Sequence, residues 1–217
     1  MRHSRPVTFA SLLDRAAALA AGPRRLLGIV GAPGAGKSTL AARLVAALGA
    51  DRAVLVPMDG FHLAQAELER LGRAERKGAV DTFDGDGFVA LLRRLAAGSV
   101  TVYAPEFRRE IEEPIAGAIP VPPDVPLVVT EGNYLLVPAA PWGAVRELLD
   151  EAWYLEIDEE ERLRRLVARH MFFGRTAAEA RARSYGSDQV NADLIATTKP
   201  YADLVVYPDI HEPGRSP

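Results

Sequence analysis

The segment Gly31-Ala-Pro-Gly-Ala-Gly-Lys37-Ser38 constrains this chain more than any other feature of its sequence. It fits the pattern G-x-x-x-x-G-K-[ST], in which backbone N–H groups surround phosphates, the lysine reaches the outer phosphates and the hydroxyl holds magnesium. A short apolar run at 25–30 precedes the loop, and helical periodicity at 37–48 follows it. Strand, glycine loop and helix in this order predict a nucleotide site formed by Gly31, Ala32, Pro33, Gly34, Ala35, Gly36, Lys37, Ser38 and Thr39.

The remainder of the chain alternates between strand-like and helical patterns, which predicts an α/β fold with a mainly parallel sheet in a three-layer α/β/α arrangement. Residues 115–126 include four prolines and predict an extended connection or an edge hairpin. The whole chain is expected to form one domain, with an N-terminal helix within 1–23 and a frayed tail at 211–217. Further strands are predicted at 53–56, 100–103, 127–130, 152–157 and 204–207, and helices at 9–21, 87–97, 143–149, 158–172 and 177–184.

Composition narrows the classes of partner. A net charge of −3 and a pI near 5.9 supply no global attraction for nucleic acid or an anionic membrane, so a small molecule is the expected partner. The absence of cysteine excludes disulfides and thiol catalysis. No apolar run approaches the roughly 20 residues of a spanning helix, and a cytoplasmic location is expected. A homodimer is the expected assembly, because dimers are the commonest oligomers of soluble proteins.

Two carboxylates follow predicted strands. Asp59 comes just after the apolar run 54–58, and Glu131 just after 127–130. Ligands of open α/β sheets bind at the carboxyl ends of strands. Asp59 is therefore predicted to orient an acceptor hydroxyl and take its proton, and Glu131 to hold magnesium together with Ser38. The alternatives are an ordinary Asp-Gly turn at Asp59 and a solvated side chain at Glu131.

The predicted helix at 158–172 has a cationic face. Arg162, Arg165 and Arg169 recur at i, i+3 and i+7, and Arg175 lies just beyond the helix. These arginines could close over a triphosphate as a lid covering about 158–176 and neutralise charge during phosphoryl transfer. Acids at the start and bases toward the end of the helix could equally complement its dipole.

Several short motifs together carry a resemblance to a known family. They are the glycine loop, Pro57-Met-Asp-Gly-Phe-His62, Arg76-Lys-Gly78, Asp81-Thr-Phe-Asp84, Tyr103-Ala-Pro105, Glu131-Gly-Asn-Tyr134 and the segment 165–174. Over about residues 25–207 the chain resembles the pantothenate kinase, uridine kinase and phosphoribulokinase family. It most resembles the bacterial branch labelled nucleoside/nucleotide kinase-like or fructose-transport-system kinase.

The resemblance implies ATP and Mg²⁺ as cofactors and assigns a role to each matching residue. Asp59 matches the catalytic base, Glu131 the strand-end acid, and Arg165 and Arg169 the lid arginines, while Lys37 neutralises the phosphates. Val80 stands where proline is usual in the loop that lines the acceptor pocket. The predicted acceptor set is Asp59, Phe61, His62, Lys77, Phe83, Tyr103, Arg108, Asn133 and Asn191.

Three hypotheses about function follow. The first is a kinase that transfers the γ-phosphate to a hydroxyl of a small metabolite, such as fructose, a pantothenate-like compound or a nucleoside. The second is a nucleotide-switched regulatory ATPase acting through a protein partner, which requires neither a base nor an acceptor pocket. The third, a nucleic-acid kinase, requires a broad basic surface, whereas basic residues here form only short clusters. Asp59 and the aromatic residues Phe61, Phe83, Tyr103 and Phe107 favour the first.

Overall fold

The computed structural model describes residues 7–207, and within them a five-stranded parallel sheet forms the centre of the molecule. The strands lie in the order β2-β5-β1-β6-β7. Their bounds are β1 (Arg25–Gly31), β2 (Ala53–Leu55), β5 (Leu127–Gly132), β6 (Glu151–Leu155) and β7 (Leu204–Val206). The predicted parallel sheet is confirmed. The predicted frayed tail at 211–217 lies outside the described residues.

Helices cover both faces of the sheet and complete the predicted three-layer α/β/α fold. One apolar cluster joins α1 and α2 to one face and includes Leu12, Leu44 and Trp153. A second cluster joins α4 and α5 to the opposite face and includes Phe88 and Trp142. Every residue of β5 is buried, as expected of a parallel strand with helices on both sides. These helices are α1 (Phe9–Leu19), α2 (Lys37–Leu48), α4 (Gly85–Ala97) and α5 (Gly143–Leu148).

The strand order brings the predicted carboxylates to one edge of the sheet. β5 lies between β2 and β1, with Ile29 opposite Glu131 and Val30 opposite Gly132. All three strands are parallel, so their carboxyl ends meet. The glycine loop after β1, Glu131 in β5 and Asp59 beyond β2 therefore lie at the same edge.

An antiparallel hairpin stands apart from this sheet. β3 (Val102–Arg108) pairs with β4 (Glu113–Val121), and the pairing shifts register between Ala104 and Glu106. Of the two alternatives for 115–126, a hairpin is present up to Val121, but it forms a sheet of its own and not an edge of the parallel sheet, and residues 122–126 connect it to β5. The strand predicted at 100–103 belongs to the hairpin and not to the strands that alternate with helices.

Three consecutive helices follow β6, and the first of them lies in the region 158–176 that the sequence predicts as a lid. They are α6 (Glu159–Phe172), α7 (Ala177–Tyr185) and α8 (Ser187–Ala196). Asp158 caps the first, and Thr176 with Glu179 forms a capping box on the second. Sequence periodicity did not predict α8 or the short α3 (Gln65–Arg70). Across residues 7–207, no helix has the length and apolar character needed to cross a membrane.

Candidate active site

The glycine loop packs directly beneath the lid helix. Gly34 and Gly36 adopt φ values of +86° and +94°, which L-residues with side chains rarely adopt. A Cβ on Gly34 would stand 2.8 Å from Leu166 Cγ and 3.0 Å from the Arg162 carbonyl oxygen. Glycine at this position allows α6 to approach the loop backbone. The first N–H groups of α2 are left free of helical partners, as a phosphate site requires.

Lys37 is buried at the start of α2 and is held by neutral groups. Its Nζ donates to Asn133 Oδ1 at 2.7 Å and to the Ala32 carbonyl oxygen at 3.2 Å. Burial lowers the Lys37 pKa to about 8, although the nearby Glu131 and Asp59 carboxylates oppose the shift. The lysine is thus an ammonium with an incomplete set of anionic partners, which a phosphate would supply.

Ser38 and Glu131 form the oxygen pair that the sequence predicted. Ser38 Oγ donates to Glu131 Oε1 at 2.9 Å, and Glu131 is only 5% exposed. Burial raises the Glu131 pKa, and the neighbouring Asp59 raises it further. Hydroxyl and carboxylate oxygens fit Mg²⁺, which usually takes one or two protein carboxylates and completes its shell with phosphate and water. Within residues 7–207, no group of three or more His, Cys, Asp or Glu side chains is placed to hold a metal ion.

Asp59 faces the same space from a short 3₁₀ helix, Met58–Phe61, beyond β2. Its Oδ2 lies 3.3 Å from Arg109 Nη2 on the hairpin. The sequence had predicted Arg108 for the acceptor site, but Arg108 pairs with Glu106 at 2.9 Å and does not line the cleft. Phe107 and Arg108 are adjacent on β3 and point to opposite faces, so Phe107 faces the cleft while Arg108 faces away. Arg109 follows β3 in the turn of the hairpin and lines the cleft.

These residues line one cleft of about 700 Å³, a volume suited to small ligands. The structure does not bring Phe61 or Tyr103 into this lining. Phe61 packs edge-on against Phe88 with ring centres 5.3 Å apart, and Tyr103 is 60% exposed on the hairpin. The predicted residues that do line the cleft are Pro33, Lys37, Ser38, Asp59, His62, Lys77, Phe83, Glu131, Asn133, Arg169 and Asn191.

The two predicted lid arginines lie in different places. Arg169 lines the cleft, and its pKa is lowered mainly by burial and also by the nearby Arg109 guanidinium. Arg165 pairs with Glu161 at 2.7 Å, and its Nη1 lies 3.7 Å from the position of a Cβ on Gly36. Hydrogen bonds from Arg164 and Arg165 lower the Glu161 pKa to about 2. Arg169 therefore faces the cleft directly, while Arg165 lies beside the loop.

Comparison with known proteins identifies the family. A Schizosaccharomyces pombe protein provisionally named uridine kinase C227.14 is 35% identical over 196 residues, which are 84% of this chain and 83% of that protein. A relative at this identity and coverage is sufficient to assign the family. The chain belongs to the P-loop kinases. Its relatives in this family have uridine kinase-like and pantothenate kinase names, and it is a small-molecule phosphotransferase.

Two further comparisons agree with the assignment of this kinase. The ATP-dependent kinase-like protein notR' of Aspergillus versicolor is 36% identical over 159 residues, 68% of this chain and 92% of that protein. A solved kinase from Silicibacter sp. TM1040, provisionally assigned to a fructose transport system, superimposes with a TM-score of 0.83 at 39% identity. That alignment covers 91% of this chain and 98% of the other. No protein-family model matches the chain.

Sequence reasoning missed several residues that line the cleft of this kinase. Besides Arg109, they include the pair of His170 and Asp188, whose Nε2 and Oδ2 lie 2.7 Å apart and join α6 to α8. Arg183 of α7 also lines the cleft. Arg109 lies just beyond β3 in the turn of the hairpin, where strand alternation gives no signal. The other three depend on how α7 and α8 fold back, for which the sequence offers no local signal.

The aromatic wall of the cleft is built around His62. Its ring centre lies 4.0 Å from that of Phe83 and 4.6 Å from that of Phe107. His62 Nδ1 lies 2.8 Å from the Asp59 carbonyl oxygen, and burial lowers the His62 pKa. A neutral imidazole held this way fixes the backbone at Asp59 and forms a flat surface beside it.

Proposed function

We propose that this kinase transfers the γ-phosphate of ATP directly to a hydroxyl of a small metabolite, such as a sugar, a pantothenate-like compound or a nucleoside. The observation that carries the proposal is the convergence of Lys37, the Ser38–Glu131 pair and Asp59 on one cleft. A nucleotide-switched regulator needs the first three of these residues but not a carboxylate beside an aromatic pocket.

The triphosphate would occupy the glycine loop. Backbone N–H groups at the start of α2 and the Lys37 ammonium would hold the β- and γ-phosphates. Lys37 would exchange its present partners, Asn133 and the Ala32 carbonyl, for phosphate oxygens. Asn133 would then be free to bond the nucleotide or the acceptor.

Magnesium would be held by Ser38 and Glu131. The ion, when bound, neutralises charge on the β- and γ-phosphates. The short hydrogen bond between the two side chains shows that their oxygens already lie together. The positive ion would also offset the burial that raises the Glu131 pKa and keep this carboxylate ionised.

Asp59 would act on the acceptor hydroxyl. Its carboxylate would accept the proton as the oxygen bonds to phosphorus, and Arg109 would hold it in place through the 3.3 Å contact. Arg169 faces the same cleft and would stabilise charge on the transferred group. Phosphoryl transfer depends mainly on positioning and electrostatic stabilisation, and this arrangement would supply both.

An acceptor panel tests the proposal. We expect ADP release from Mg-ATP to rise strongly with one member of a set of fructose and other sugars, pantothenate, nucleosides and glycerate. Asp59→Asn should lower that stimulated rate by about a hundredfold or more, because proton transfer to the carboxylate is lost. Its dissociation constant for ATP should stay within a few-fold of the wild-type value.

The control is the same change at Asp51, an exposed residue outside the cleft. Asp51→Asn should keep the wild-type rate with every acceptor. If no acceptor stimulates ADP release and both Asp59→Asn and wild type hydrolyse ATP equally slowly, the regulatory ATPase becomes the better account.

A further inference from the structure

We infer that the acceptor carries an anionic group, a carboxylate or a phosphate, bound by Lys77 and Arg183 in the part of the cleft between the hairpin and α7. The inference rests on the proposed function, since it names the class of substrate that the same site would take. Lys77 belongs to the loop 76–84, whose backbone is bonded by side chains of several other elements.

The backbone at Lys77 and Gly78 is anchored by three side chains from distant elements. Tyr134 Oη donates to the Gly78 carbonyl oxygen at 2.6 Å, and Asn191 Nδ2 donates to the same oxygen at 3.2 Å. Arg183 Nη2 donates to the Lys77 carbonyl oxygen at 2.6 Å. These bonds hold the loop against the segment that follows β5 and against α7 and α8. The backbone from which the Lys77 side chain extends is therefore fixed by the protein itself.

The cations near this loop differ in their partners. Arg76 pairs with Asp81 at 2.5 Å, and Arg73 pairs with the same carboxylate at 3.5 Å. Lys77 Nζ, in contrast, bonds only neutral oxygens, those of the Glu112 carbonyl at 2.6 Å and the Gln65 amide at 3.4 Å. Asp81 thus offsets one of the two charges of Arg73 and Arg76, whereas Lys77, which lines the cleft, has no carboxylate partner among residues 7–207.

Arg183, like Lys77, has no carboxylate partner. Within residues 7–207, the only hydrogen-bond partner of its side chain is the Lys77 carbonyl oxygen, and neither Lys77 nor Arg183 forms an ion pair with a carboxylate. Besides Glu131, three glutamates line the cleft, and one of them, Glu179, is held in the capping box with Thr176. Glu75 and Glu112 are exposed and turn no carboxylate to within ion-pair distance of either cation.

An anionic ligand group would supply the charge that both cations lack. Charge-assisted hydrogen bonds from lysine and arginine are strongest to carboxylate and phosphate oxygens. Lys77 Nζ also stands 5.5 Å from the ring centre of Phe107, so the apolar body of an acceptor could lie along this ring. The hydroxyl of such an acceptor would point to Asp59 while its anionic group meets Lys77 and Arg183.

Matched pairs of acceptors test the inference. The pairs are glycerate with glycerol, pantothenate with pantothenol, and fructose 6-phosphate with fructose. We expect the wild type to use a charged member with kcat/KM at least tenfold above that of its neutral partner. Lys77→Met should lower kcat/KM for the charged member at least tenfold, mainly through KM, and change the neutral member less than threefold. Arg183→Gln should act in the same direction, and Lys77→Arg should retain much of the wild-type preference.

Lys199→Met is the matched control, because the chain has only three lysines and Lys199 pairs with Glu156 away from the cleft. It should leave all values unchanged, and the dissociation constant for Mg-ATP should be the same in Lys77→Met and wild type. Preference for glycerate or pantothenate would identify the group as a carboxylate, and preference for fructose 6-phosphate as a phosphate. Equal kcat/KM of the wild type for charged and neutral members, together with an unchanged value for the charged member in Lys77→Met, would overturn the anionic class alone. Failure of every acceptor would overturn the proposed function and this inference with it.

Discussion

Lys37 shows how burial prepares a residue for a ligand. The ammonium is 8% exposed and bonded to an amide and a carbonyl oxygen, so burial brings its pKa to about 8. Removing a charge from water is unfavourable unless opposite charge compensates it. A bound triphosphate would compensate it, and the pKa of Lys37 would rise in the complex.

This difference predicts a pH dependence of nucleotide binding. The pKa of Lys37 without ATP is about 8, and below this pH the amine is charged both with and without ATP. The titration of Lys37 therefore does not change the affinity for ATP in this range. Above that pH, binding must include proton uptake, and the affinity should fall by up to about tenfold per pH unit. Titration calorimetry from about pH 7 to about pH 9, in buffers of different ionisation enthalpy, measures both quantities.

Lys37→Met should bind ATP more weakly and lack this proton uptake, because the titrating group is gone. An identical slope in wild type and Lys37→Met would assign the proton to another residue and contradict this account of Lys37.

At the scale of elements, the contact between the glycine loop and α6 links the phosphate site to the lid. Gly34 has a positive φ, and a Cβ on this residue would lie within 3.0 Å of atoms of Leu166 and Arg162 in α6. Leu166, fully buried, occupies that contact. A side chain at Gly34 would therefore strain the loop and push the lid helix outward.

Gly34→Ala should lower the free energy of unfolding by about 1–3 kcal/mol, the sum of an unfavourable φ and an overpacked contact. Urea denaturation measures the change. Gly22→Ala is the control, since a Cβ there meets nothing within 4 Å, and its effect should stay within about 0.5 kcal/mol. A Gly34→Ala protein as stable as Gly22→Ala would show that the loop and α6 can separate freely.

The elements also explain what the sequence could predict of the site. Asp59 follows β2 and Glu131 lies near the carboxyl end of β5, and the apolar pattern of both strands is local, so their meeting at one edge followed from the parallel sheet. Arg108 was predicted in place of Arg109, because the sequence does not give the point at which β3 ends and the hairpin turn begins. His170, Asp188 and Arg183 meet the site through the packing of α6, α7 and α8, which depends on contacts between distant residues.

At the scale of the whole molecule, the predicted three-layer fold and the P-loop kinase family are confirmed by the structure and its relatives. The glycine loop predicted the nucleotide site, since its phosphate-binding geometry requires the strand before it and the helix after it. The further short motifs carried the resemblance to the kinase family. The sequence did not identify the acceptor. The cleft proposed to bind it combines the hairpin, the loop 76–84 and helices that follow β6, so the chemistry of the acceptor could be inferred only from the assembled structure.

Transfer of a radiolabelled γ-phosphate from ATP to the acceptor identified by the panel tests the central claim most directly. The account predicts that wild type moves the label onto the acceptor in step with ADP release, and that Asp59→Asn moves it about a hundredfold more slowly while still binding ATP. Label found only as inorganic phosphate, or equal transfer by both proteins, would contradict direct transfer assisted by Asp59.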